Sequence, residues 1–195
     1  MTAGTKPEGT ARKRVAPKKE HAAPDTVAPG TLDELMALAL QMENEAVQRY
    51  SELADAMETH NNREVADLFR RMSAIEAKHA QRIAEEMNWA NAPAVPIGLQ
   101  SWAGFESPET TPSEDVHYLM QPYQALQLAL AGEQRAEQFF ARLARMATVG
   151  TVRNAARELR DEEREHVLLV KAWMRKVPKP VTDWADDPDP PRHTD

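Results

Sequence analysis

Apolar residues recur along this chain in four stretches at steps of three and four, the spacing that places them on one face of an α-helix. The first opens at Thr31, where Thr31 and Glu34 have the Thr-x-x-Glu spacing of a capping box, and runs to about Glu58. Its stripe is Leu32, Leu35, Ala39, Ala46, Tyr50, Leu53 and Met57, with Gln41, Glu45, Arg49, Glu52 and Asp55 opposite. A second helix follows Asn62, a residue suited to cap it, and buries Val65, Leu68, Phe69, Met72 and Ile83 before ending near Asn88. A turn of about four residues makes these two helices antiparallel neighbours.

The periodicity then stops from Trp89 to Gln121, where Pro93, Pro96, Pro108 and Pro112 alternate with Gly98 and Gly104. This stretch is too long for a hairpin loop but long enough to cross a bundle end to end, and Trp102, Phe105, Tyr118 and Leu119 would let it pack on the way. A third helix starts around Pro122 and carries Leu126, Ala129, Leu130, Ala136, Phe140 and Leu143. After a turn at Gly150 a fourth runs from about Thr151 to Lys176, burying Val152, Ala156, Leu159, Val170 and Trp173. The pattern predicts an all-α four-helix bundle over residues 31–176 with a long crossover between helices 2 and 3.

The second half repeats the first. A shift of 90 positions matches Leu38 with Leu128, Ala39 with Ala129, Leu40 with Leu130, Glu43 with Glu133, Ala46 with Ala136, Gln48 with Gln138, Leu53 with Leu143 and Ala54 with Ala144. A shift of 87 pairs Glu76 with Glu163 and His79 with His166. The bundle should therefore have a pseudo-twofold axis.

Six polar residues interrupt the apolar stripes at related places. Glu43 lies between Ala39 and Ala46, and Glu133 between Ala129 and Ala136; Glu76 and His79 continue the stripe from Met72 to Ile83, and Glu163 and His166 that from Leu159 to Val170. Positions three apart are about 60° apart around a helix and about 4.5 Å along it, so each Glu-x-x-His pair can converge on one ion. Heights agree as well. Glu43 precedes Thr59 by 16 residues, while Glu76 and His79 follow Asn62 by 14 and 17; Glu133 precedes Ala147 by 14, while Glu163 and His166 follow Thr151 by 12 and 15. Four ionised carboxylates buried together would be prohibitively costly unless they protonate or bind cations, and two divalent ions neutralise four carboxylates. Carboxylate oxygen and imidazole nitrogen in this ratio suit iron or manganese. Glu45, Glu52, Glu137, Glu162 and Glu165 fall off the inward line and are expected in solvent; His21, His60, His117 and His193 lie in tails, turn or crossover and take no role.

Composition narrows the picture. With 42% hydrophobic residues, 195 residues supply one ordinary core, and a net charge of −7 argues against general nucleic-acid binding. No cysteine is present, which excludes disulfides and thiolate metal centres. No 18 apolar residues run together and the basic start has no apolar signal segment, so no membrane partner and a cytoplasmic location, or confinement inside something cytoplasmic, are expected. Residues 1–30, with four Pro and six Lys/Arg, and 177–195, with five Asp and five Pro, read as a basic and an acidic disordered tail.

Met42 to Ala46 with Tyr50, Glu76-Ala77-Lys78-His79, Ala131-Gly132-Glu133 with Phe140, and Glu163-Arg164-Glu165-His166 resemble the rubrerythrin and bacterioferritin branch of the ferritin-like di-iron carboxylate proteins. The resemblance implies a ferritin-like bundle with two iron ions held by Glu43, Glu76, His79, Glu133, Glu163 and His166, with Glu76 and Glu163 shared between the ions, Glu43 and Glu133 terminal, and one His for each iron. It implies reaction of Fe(II) with O₂ or H₂O₂, a homodimer or higher homo-oligomer, and a separate electron donor for a peroxidase. Tyr50, seven residues from Glu43, would face the site as a hydrogen-bond donor or pack as a core ring; its symmetry mate Phe140 cannot donate. Rubrerythrins usually carry a further carboxylate three residues after the helix 3 ligand and a C-terminal rubredoxin domain; this sequence has Ala136 and no cysteine, nearer to a ferroxidase centre. The alternatives are an iron-storage or carrier protein, including one held as cargo of a protein shell, and a structural bundle with a buried proton-sharing network.

Overall fold

The computed structural model describes residues 28–96, 99 and 116–180. Within them the chain forms four helices and no strand: α1 Leu32–Thr59, α2 Arg63–Glu86, α3 Pro122–Met146 and α4 Gly150–Met174. The tails before residue 28 and after 180, and the crossover residues Trp102 and Phe105, lie outside the described residues. No helix among the described residues is long and apolar enough to cross a membrane.

α1 begins as its sequence predicts. The Thr31 hydroxyl accepts from the Glu34 amide at 3.2 Å, and the Glu34 carboxylate accepts from the Thr31 amide at 3.3 Å, so two orphan donors of the first turn are satisfied. It ends at an asparagine in the left-handed region. Asn61 has φ 58°, its amide donates to Glu58 O, and the next amide, of Asn62, donates to Met57 O. α2 ends the same way, with Asn88 at φ 53° and the Asn88 and Trp89 amides donating to Glu85 O and Ala84 O. Both are six-to-one terminations, which asparagine supports because its short polar side chain tolerates this conformation. α2 therefore stops at Glu86, two residues before the expected Asn88, the residue that turns the chain away.

The helices assemble as two antiparallel hairpins, α1 on α2 and α3 on α4, which dock with α1 against α4 and α2 against α3. The core falls into two clusters. One gathers Leu35, Leu38, Ile83, Phe139, Phe140, Leu143, Val152 and Leu159; the other gathers Leu53, Met57, Val65, Phe69, Met72, Leu126 and Val170. Residues 35–40 of α1 are buried all round rather than on one stripe, because Met87, Trp89 and Val95 from the start of the crossover pack on that cluster. At the other extreme Leu32, expected inside, is exposed at the helix mouth, and Trp173 is half-buried.

Asn62 does not cap α2 with its side chain. Its amide instead donates to Tyr118 O at 3.3 Å and Met120 O at 2.7 Å, just before α3. These bonds tie Tyr118 and Met120, just before α3, to the α1–α2 turn, so α3 starts at the end of the bundle where α2 starts. Replacement of Asn62 by Ala leaves two carbonyls without that donor and should cost about 1–3 kcal/mol in urea unfolding; an unchanged midpoint would show the anchor to be dispensable. At the α3–α4 turn Arg153 has the corresponding task, donating from Nε to Ala147 O at 3.2 Å and from Nη2 to Thr148 O at 3.1 Å.

Candidate metal centre

Between the two core clusters lies a polar layer. Glu43, Glu76, Glu133 and Glu163 are each 2–3% exposed, and His166 is buried with them. Each arrives there because it occupies an inward position of its helix, about one turn from an apolar neighbour that anchors the face: Ala46 and Ala136 for Glu43 and Glu133, Met72 and Leu159 for Glu76 and Glu163.

Each hairpin contributes a half-site of the same design. In α1–α2, His79 Nδ1 stands 3.9 Å from Glu43 Oε1 and 4.0 Å from Glu76 Oε2. In α3–α4, His166 Nδ1 stands 3.2 Å from Glu133 Oε2, within hydrogen-bond distance, and 3.5 Å from Glu163 Oε2. The imidazole rings of His79 and His166 meet with centroids 4.4 Å apart. All six residues singled out from the sequence thus lie in one layer. Among the described residues, two groups have ligating atoms within 4.8 Å of one another: Glu76, His79 and His166, and Glu133, Glu163 and His166. His166 belongs to both, and Glu43 stands outside both, beside His79, an arrangement less even than one histidine and two carboxylates per ion. Ala136, fully buried one turn from Glu133, offers no oxygen.

Burial sets the charge state. It pushes the Glu76 carboxyl up to about 8, with repulsion from Glu133 adding to the effect, and pushes Glu163 up to about 7. Desolvation works against the charged form of His166 as well, but hydrogen bonds to Glu133 and Glu163 outweigh it and raise that imidazole to about 11. His79, desolvated and repelled by His166 and Arg82, falls to about 4. The layer without metal is therefore rich in protons. Within it, Glu76 Oε1 and His79 Nδ1 are buried without a hydrogen-bond partner. Orphaned acceptors in a layer of four carboxylates and two imidazoles fit divalent cations, which would displace the protons and satisfy those atoms together.

Tyr50 packs into the cluster beside the layer, its ring stacked on Phe69 at a centroid distance of 6.1 Å. Glu162, expected in solvent, is half-buried and ion-paired with Arg82 of α2, and burial raises its carboxyl. The apolar pattern of the sequence does not reveal that pair. The signal it does hold is positional: Arg82 follows His79 by three residues and Glu162 precedes His166 by four, so both share a face with a histidine of the layer. His117 stacks on the Tyr118 ring and His60 lies tilted against it, outside the layer.

Comparison with known proteins agrees with this geometry. A search of curated proteins gave no match. Among solved structures the chain is similar to an uncharacterised conserved protein from Magnetospirillum magnetotacticum MS-1, with 35% identity, a TM-score of 0.59, and coverage of 77% of this chain and 98% of the other. The sequence also matches the family described as Rubrerythrin over residues 34–174, which contain α2, α3, α4, nearly all of α1, and every residue of the polar layer. The chain belongs to the rubrerythrin family.

Proposed function

We propose that the protein is a non-haem di-iron oxidoreductase of ferritin-like type that oxidises Fe(II) with O₂ or H₂O₂. The observation that carries this reading is the pair of half-sites, each a buried Glu from one helix facing a Glu-x-x-His from the next, brought to one level by two unrelated turns. Glu43, Glu76 and His79 would hold one iron, and Glu133, Glu163 and His166 the other, with Glu76 and Glu163 shared. When bound, two ferrous ions supply the two electrons that reduce a peroxide. The chain's own residues do the rest. Protons held on Glu76, Glu163 and His166 leave as cations enter, the four carboxylates compensate the added charge, and the apolar clusters on either side exclude water from the layer. Tyr50 would place a phenol hydroxyl at the edge of the layer as a hydrogen-bond donor. Iron is preferred to manganese on the family alone.

Anaerobic loading with Fe(II), followed by stopped-flow absorbance after mixing separately with O₂ and with H₂O₂, tests the reading. Rapid oxidation with repeated turnover is expected. A single stoichiometric oxidation followed by retention of ferric iron would instead make the protein an iron-storing or carrying one. Failure to take up iron would sink both readings.

A further inference from the structure

The four carboxylates and two histidines are not equally enclosed. The side chains of Glu43, Glu76, Glu133 and Glu163 are 3–4% exposed and that of His166 10%, whereas His79 reaches 20%. The exposed edge of the layer is therefore at His79, and a cavity of about 410 Å³ opens further along α2 and α4 from that edge. Its walls include Arg82 and Glu86 of α2 and Glu158 and Glu162 of α4, over a floor of Met36, Ile83 and Leu159. Steps of three and four put His79, Arg82 and Glu86 on one face of α2, and steps of four put His166, Glu162 and Glu158 on one face of α4. These two ladders run from the histidines to the cavity mouth, about 10–12 Å at 1.5 Å per residue. Halfway along, Arg82 closes on Glu162 in an ion pair across the gap, while its Nε lies 3.9 Å from Glu86.

The repeat shows that the fold does not require this pair. The shift of 87 that superposes Glu76 on Glu163 places Arg82 on Leu169, and it places Ile75 on Glu162. The pseudo-equivalent approach on the other side is thus apolar at both positions, with Ile75 half-buried and Leu169 exposed. The ligands obey the twofold; the Arg82–Glu162 pair breaks it. A cation, moreover, is an obstacle on a path whose other charged residues, Glu86, Glu158 and Glu162, are acidic.

We propose that divalent cations enter the layer through the cavity between α2 and α4, and that the Arg82–Glu162 ion pair is the gate they must open. Glu86 and Glu158 at the mouth concentrate cations. Parting of Glu162 and Arg82 clears the way to His79, and Arg82 swings back toward Glu86. The inference rests on the reading of the layer as a metal centre, and rates separate it from that reading, which equilibrium stoichiometry tests.

The probe is cobalt(II), whose uptake by the full chain is followed by stopped-flow absorbance and counted by equilibrium dialysis. R82Q/E162Q keeps the net charge of the cavity, so electrostatic attraction alone leaves its rate at the wild-type value. A gate predicts uptake at least about fivefold faster, with two ions still bound at equilibrium. R82K, which keeps the cation, should stay near the wild-type rate. E86Q/E158Q should slow uptake and flatten its dependence on ionic strength. Two ions bound by R82Q/E162Q at the wild-type rate would overturn the gate and leave the metal centre standing, and this is also the result a merely structural ion pair gives, a change in unfolding midpoint without a change in rate. No cobalt uptake by the wild-type chain would overturn both.

Discussion

Replacing Glu76 and Glu163 together by Gln should take metal uptake from two ions per chain to fewer than one, with affinity lowered about 100-fold or more at each site. Both carboxylates lie 2% exposed within the groups whose donor atoms converge, and each faces the histidine three residues on. An amide keeps the volume of the side chain, so no cavity forms, but it carries no charge to offset a divalent ion. The metal-free bundle should not suffer. Near pH 7 Glu76 is held in its neutral form already, and above pH 8 the amide avoids an ionisation that burial penalises. Equilibrium dialysis with metal analysis, beside urea unfolding in chelator, reads both effects at once. Loss of metal with stability retained is the expected pair of results. Two ions still bound would mean that the layer is not the site, and joint loss of metal and fold would mean that these carboxylates are structural.

The residues to replace in that experiment are legible in the amino-acid sequence itself. Inward-facing glutamates are conspicuous in a stripe of Ala, Leu and Met, and a short hairpin turn fixes axial level by counting residues, so Glu43 meets Glu76 and His79 with no further information. What counting cannot supply is the distribution of contacts within the layer. His166 lies close to two carboxylates while His79 stands near 4 Å from its own pair, and this inequality arises from side-chain packing of the two hairpins, to which the repeat is blind. Asn62 shows the same limit. A cap residue before a helix is the economical reading of the sequence, yet the side chain is turned to carbonyls more than fifty residues away, and only the path of the crossover decides between the two uses. The Arg82–Glu162 pair escapes the sequence for the opposite reason. Each residue alone looks like a solvated charge, and their contact exists only because α2 and α4, which are not joined by a turn, present them to one gap.

Without metal, the protein should lose stability as pH rises from about 5 to 9, the reverse of the usual acid denaturation. Glu76 and Glu163 titrate in the native state near 8 and 7, above the 4.5 of an unperturbed Glu, and His166 near 11, above 6.5. For a group raised on folding, the native form binds the extra proton, so its stabilisation is complete below the unfolded value and disappears as pH climbs through the folded one. Glu163 is spent by about pH 7 and Glu76 by about pH 8, while His166 contributes its slope above 6.5. Each excess native proton gives a slope of about −1.4 kcal/mol per pH unit. His79 acts oppositely, because a value lowered from 6.5 to about 4 removes stability as pH falls through that window. Between about pH 4.5 and 6.5 His79 offsets only one of the two glutamates, so the metal-free optimum should lie near the unfolded glutamate value, about pH 4.5. Divalent ions replace the excess protons, so the loaded protein should show little fall between about pH 6 and 8, and its advantage over the metal-free form should widen as pH rises. Thermal unfolding at half-unit pH intervals, with chelator and with cobalt(II), measures both curves. Parallel curves would mean that metal and protons do not compete for the same carboxylates, and the layer would then be a proton-sharing network rather than a metal centre.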